Sequence, residues 1–135
     1  MIWGIEFSSE KFLPTLPEDC QLDSGRYGFE LALWLAQALN RQGIVTGYPS
    51  GEEWAWFLDY EPSEELSLAI CCASCCGARA GYDGRPIGWS ISIHDRRRMN
   101  QRVRNLAHHA ELEALGQRIV ALLRAEQIEP VQVRG

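Results

Sequence analysis

The sequence predicts an α+β protein: a two-layer sandwich whose mainly antiparallel sheet, of four to six strands, carries two helices on one face. Three observations predict it. Several segments alternate apolar and polar residues at the strand period of two, two others repeat at the helical three-and-four spacing, and the strand-like segments in the middle are joined by short turn-forming connections. Short connections make strands antiparallel neighbours, because a parallel pair needs a long crossover.

The elements follow in order. In "IWGIEF", Trp3, Ile5 and Phe7 face one way and Gly4 and Glu6 the other, which reads as a first strand. "SSEKFLPTLPEDCQLDSG" is rich in turn formers and reads as a long connection. "RYGFELALWLAQALNRQG" is the clearest helix, with Leu31, Trp34, Leu35, Ala38 and Leu39 on one stripe, Phe29, Leu33 and Ala36 widening it, and Gly43 as a C-terminal stop. "VTGY" is expected to be a short strand and "PSGE" a turn. "EWAWFLDYE" then alternates, placing Trp54, Trp56, Leu58 and Tyr60 on one face and Glu53, Ala55, Phe57, Asp59 and Glu61 on the other. After the turn "PSEE", "LSLAICC" sets Leu66, Leu68, Ile70 and Cys72 against Ser67, Ala69 and Cys71. "GARAGYDGRP" reads as a hairpin connection, and "IGWSISIH" sets Ile87, Trp89, Ile91 and Ile93 against Gly88, Ser90, Ser92 and His94. A second helix carries Leu112, Leu115, Ile119 and Leu122, and "EPVQVR" supplies a short last strand after Pro130. With both helices on the bulky face, the other face is expected to be open, small-sided, hydroxylated and acidic.

A chain of 135 residues with no repeat or linker fits a single domain able to bury its own core. No apolar run approaches the ~18 residues that span a bilayer. "MIWGIEFSSE" has no basic n-region and carries Glu6, so it is not read as a signal peptide. The five cysteines, an odd number, fit poorly with a closed disulfide framework, and the expected location is the cytoplasm with thiols reduced.

The net charge of −5 argues against nucleic acid and membrane surfaces as partners. The charge is also uneven: residues 42–78 hold six acids and no Lys or Arg, whereas residues 79–135 hold ten Arg against six acids. Arg96, Arg97, Arg98, Arg102 and Arg104 form a run that reads first as a solvated connection paired with the acidic half, and next as a protein or homodimer contact. No aromatics interleave with it as single-strand nucleic-acid binding would require.

"AICCASCCG" packs Cys71, Cys72, Cys75 and Cys76 into six positions. Structural zinc draws its ligands from two arms, and adjacent strand residues point to opposite faces, so Cys71 and Cys72 do not serve one ion. Cys72 and Cys75 have thioredoxin-type spacing without the helix that normally follows. The first reading is a sulfur-rich strand end with no metal or cofactor; a metal or thiol-redox module centred on Cys72, Cys75 and Cys76 is the alternative. His94, beside Asp95 and on the face of Ser90 and Ser92, is the only arrangement suggesting hydrolysis. His108 and His109 lie at the start of the second helix, and no phosphate loop, nucleophile elbow or zinc-protease helix is present.

The stretch "GFELALWLAQALNRQGIVTGYPSGEEWAWFLDYE", with Cys76-Gly77 and Trp89 after it, resembles a group of small bacterial proteins in which an amphipathic helix, a Gly-terminated turn and a Trp-x-Trp strand follow one another. The resemblance covers about residues 26–93 and rests on packing residues; the doubled cysteines and the arginine run depart from the pattern. Some proteins of this kind resemble immunity proteins that neutralise bacterial toxins. The resemblance therefore implies a non-enzymatic, antitoxin-like inhibitor with a protein partner such as a toxin domain. The partner-binding residues expected from the acidic strand are Glu53, Asp59 and Glu61, with Phe57 as an apolar anchor between the charges.

Overall fold

The computed structural model describes residues 3–22, 26–64, 66–75, 85–95 and 106–133. Among them, six strands form one antiparallel sheet: β1 (Trp3–Ser9), β2 (Ser50–Gly51), β3 (Trp56–Ser63), β4 (Leu66–Ser74), β5 (Ile87–Asp95) and β6 (Val131–Gln132), in the order β2-β3-β4-β5-β1-β6. Two helices, α1 (Phe29–Asn40) and α2 (Leu106–Ala125), pack on the same face; α1 touches β3 and β4, α2 touches β1, and the helices touch each other. This is the α+β two-layer arrangement expected from the periodicities.

The core between the layers is made largely by the residues whose spacing announced it, except that on α2 Leu123 is the fully buried residue and the expected Leu122 is half-buried. Ile5, Leu58, Leu68, Ile70, Trp89, Ile91 and Ile93 of the sheet meet Leu31, Leu35 and Leu39 of α1 and Leu112, Leu115, Ile119 and Leu123 of α2. Trp34 sits at the rim, its ring 4.9 Å from Phe12, which belongs to the long connection and is itself buried. That connection is held to α1 by a single carboxylate: Glu30 Oε2 accepts from the Thr15 N–H (2.9 Å), the Thr15 hydroxyl (3.1 Å) and the Leu16 N–H (3.1 Å). A carboxylate with backbone donors makes charge-assisted bonds, stronger than neutral ones.

Both helices end in the same way. After α1, Gly43 N–H donates to the Asn40 carbonyl and Ile44 N–H to that of Leu39, with Gly43 at φ +82°. After α2, Gln127 and Ile128 make the equivalent bonds to Arg124 and Leu123, but the left-handed position is held by Gln127 at φ +62°. A side chain there meets the following carbonyl, which glycine avoids. Gln127→Gly is therefore expected to raise stability by about 0.5–1 kcal/mol, seen as a higher urea midpoint with an unchanged slope.

Tyr60, on the helix face of β3, has its phenol shifted above the ordinary value of 10.0, chiefly by burial and then by Glu111 of α2, with Arg118 opposing. The stability associated with the neutral phenol is fully present below pH 10 and declines as pH rises through the shifted value. Tyr60→Phe should remove that part of the alkaline decline while leaving stability at pH 7 nearly unchanged, read from urea unfolding at both pH values.

Two expectations fail. "VTGY" is not a strand: Val45 and Tyr48 are 68% and 93% exposed, and the segment touches the sheet through the Gly47 N–H, which donates to the Asp59 carbonyl at 2.8 Å. The strand beside β3 is Ser50–Gly51, inside the expected turn. Trp54 does not share a face with Trp56, because β3 begins at Trp56 and Trp54 belongs to the turn before it. The connection expected at residues 77–86, up to residue 84, and the arginine run 96–104 lie outside the described residues.

Candidate functional site

The site is built on the β2–β3 hairpin. Ser50 pairs with Phe57 and Gly51 with Trp56, and the Glu52 N–H donates to the Ala55 carbonyl at 3.0 Å. Glu53 and Trp54 are thus the two-residue tip. From there the Trp54 ring folds over the back of the sheet. It lies edge-on to Phe57 at 5.2 Å and to His94, two strands away, at 5.4 Å, and it remains 42% exposed.

The strand registers turn the back face into rows. One runs Asp59, Ala69, His94, and the next Phe57, Cys71, Ser92, Gly4. The middle of this face is not open as expected. Ala55, Phe57, Ala69, Cys71 and Ala73 form a second buried cluster, and Ser92 is 5% exposed. The central strand carries only small side chains there, and the Trp54 ring reaches across from Phe57 to His94.

The four expected partner-binding residues therefore separate. Asp59 and Glu61 stand exposed, two positions apart on β3, where the register against β4 shifts between Tyr60 and Ser63. Glu53 is exposed at the hairpin tip, some distance away: Trp56 and Glu61 alone are separated by about 17 Å of strand. Phe57 is buried at 5% and presents little surface to a partner as an anchor; the exposed aromatics of this region are Trp54 and Tyr48. The hydrophobic alternation hid this, because it counted Trp54 as a strand residue.

Ser92 Oγ and His94 Nε2 lie 3.0 Å apart; Ser92 is only 5% exposed, and the Trp54 ring stands edge-on to His94. Cys72 faces the helix-side core and Cys71 the back cluster, so the two thiols are on opposite faces. Burial pushes the Cys72 thiol far above its ordinary value, and adjacent Cys71 adds to the shift, so it is held as an unreactive thiol. Cys75 is exposed, and Cys76 lies outside the described residues, among which no group of three or more His, Cys, Asp and Glu is arranged to hold a metal ion. His109 is exposed on α2, and the side chain of His108 lies outside the described residues. Among the described residues, no helix is long and apolar enough to cross a membrane.

No protein-family model matches the chain, and neither the comparison with curated proteins nor that with solved structures found a match.

Proposed function

We propose that this chain is a non-enzymatic protein-binding module, an immunity-type inhibitor that acts in the bacterial cytoplasm and occludes a basic surface of a partner such as a toxin domain. The observation that carries the reading is the paired exposure of Asp59 and Glu61 on strand β3, in a stretch, residues 42–78, that has no Lys or Arg. Trp54 and Tyr48 stand exposed in the same region. Acidic side chains steer a basic partner and set the register of docking, while exposed aromatic rings supply the apolar contact energy. Trp54 takes the anchoring role first expected of Phe57.

The experiment is co-expression with the product of the adjacent reading frame. That product should inhibit growth alone, be neutralised by this chain, and co-purify with it in a complex that loosens as salt is raised. Absence of both protection and a complex would reject the reading.

A further inference from the structure

Among the described residues, the six strands carry no Lys or Arg and a single histidine, His94 of β5. His94 is therefore the side chain of the sheet that can acquire a positive charge near neutral pH. Its place is set by the register. Asp59 pairs with Ala69 and Ala69 with His94, so His94 and Asp59 occupy one row across β4, their backbones about 10 Å apart. The half-buried His94 ring also lies 5.4 Å from the exposed Trp54 indole. It is thus beside the ring, and in the row of the acid, to which partner contact is assigned. The charged groups nearest in the fold are acidic: Asp59 on β3, Glu61 two residues along the same strand, and Glu53 beside Trp54 at the hairpin tip. From β4, His94 is met by uncharged Ala69; on β1, Gly4 and Glu6 stand level with Ser92 and Ser90. Asp95 pairs with Leu68 of the helix-side core, and Arg96, next in the chain, lies outside the described residues. His94 Nε2 lies 3.0 Å from Ser92 Oγ. A hydroxyl both donates and accepts, so this contact serves the neutral and the charged ring alike.

We propose that His94 makes partner binding proton-sensitive: protonation sets a positive charge beside Trp54 and in the row of Asp59, and weakens the hold on a basic surface as pH falls from about 8 to about 5.5. The inference rests on the partner-binding reading above and adds its regulation. The sign follows from linkage. A basic partner favours the neutral ring, so docking releases the proton, and by reciprocity added protons release the partner. Ordinary carboxylates titrate below this window and lysine and arginine above it, so histidine is the side chain whose charge changes across it. Acids near His94 favour its charged form in the free protein, and a docked cation that engages them withdraws that support. With about 10 Å between His94 and Asp59, and His94 partly in water, the loss of affinity is graded, roughly two- to five-fold.

The test uses the isolated protein, with acetyl-pentalysine amide as the probe because its charge is constant across the window. The probe is titrated at low salt, at about pH 8 and about pH 5.5, while the backbone amide resonances of Asp59 and Glu61 are followed. Those resonances should shift saturably, with a dissociation constant roughly two- to five-fold larger at the lower pH. His94→Gln should bind the probe equally at both pH values. His109→Gln, at an exposed position of α2, should keep the full difference. An unchanged dissociation constant in the parent protein, or a difference that survives in His94→Gln, would overturn the inference and leave the proposed function standing. A probe that moves neither Asp59 nor Glu61 at either pH removes the acidic docking face, and the proposed function falls with the inference.

Discussion

Gly28→Ala is expected to destabilise the protein by about 3 kcal/mol, lowering its melting temperature by roughly 10 °C. A Cβ on Gly28 would stand 2.4 Å from the carbonyl oxygen of Cys72 and 2.8 Å from Trp56 Cδ1. The first of these is backbone of the central part of the sheet, and a strand paired on both sides yields little. The chain just before α1 is also clamped to that strand: Tyr27 N–H donates to Ser74 Oγ at 3.0 Å, and Ser74 N–H donates to the Tyr27 carbonyl at 2.8 Å. Relief of the clash would therefore pull on two hydrogen bonds. Gly43→Ala is the control, because a Cβ there meets nothing within 4 Å and its penalty comes only from φ +82°; about 1 kcal/mol is expected. Gly116→Ala falls between the two. Its Cβ would press on the Trp3 indole at 2.5 Å, but alanine returns up to about 1 kcal/mol of helix propensity. A Gly28→Ala protein as stable as the Gly43→Ala protein would mean that α1 is not seated against β4 as described.

Replacing Asp59 and Glu61 together by lysine is expected to weaken partner binding by about 100-fold, on the order of 3 kcal/mol, and to reverse the salt dependence of what remains. Each reversal turns an attraction to a basic surface into a repulsion, and both side chains are exposed. Thermal unfolding should stay within about 0.5 kcal/mol of the parent protein. That pairing of results separates a lost interface from a lost fold. A Cys72→Ser variant would not make a comparable test, since Cys72 is fully buried in the core and a hydroxyl there disturbs stability directly.

How much of this was legible in the sequence follows from where each signal is local. Alternation in Trp3–Phe7 and Ile87–Ile93, and the three-and-four spacing of Leu31–Leu39, record burial on one side, so strands, helices and the helix-side core could be read directly. Strand β4 carried a further signal that alternation misreads: Leu66–Ala73 is apolar or small at nearly every position, the pattern of a strand buried on both faces. Read that way, Ala69 and Cys71 belong to a core and not to an open surface. Trp54 was misplaced because a two-residue turn interrupts the parity of a run that looks continuous, and the turn is fixed by pairing with Ser50–Gly51. "VTGY" has strand-like composition, but it meets β3 at the Gly47 N–H to Asp59 carbonyl bond without being paired into the sheet. Exposure of Asp59 and Glu61 followed from parity alone. The approach of residues 20–22 to residues 51–56 did not, because it is made through the fold and no local pattern records that meeting.

The most direct measurement of the central claim is amide hydrogen exchange of the chain with and without its partner. The account predicts that protection gained on binding is confined to the hairpin and its flank, residues 47–64. The outer faces of α1 and α2, around Gln37, Arg41, Glu113 and Gln117, should exchange as in the free protein. Protection concentrated on those helix faces, with residues 52–61 unchanged, would contradict it.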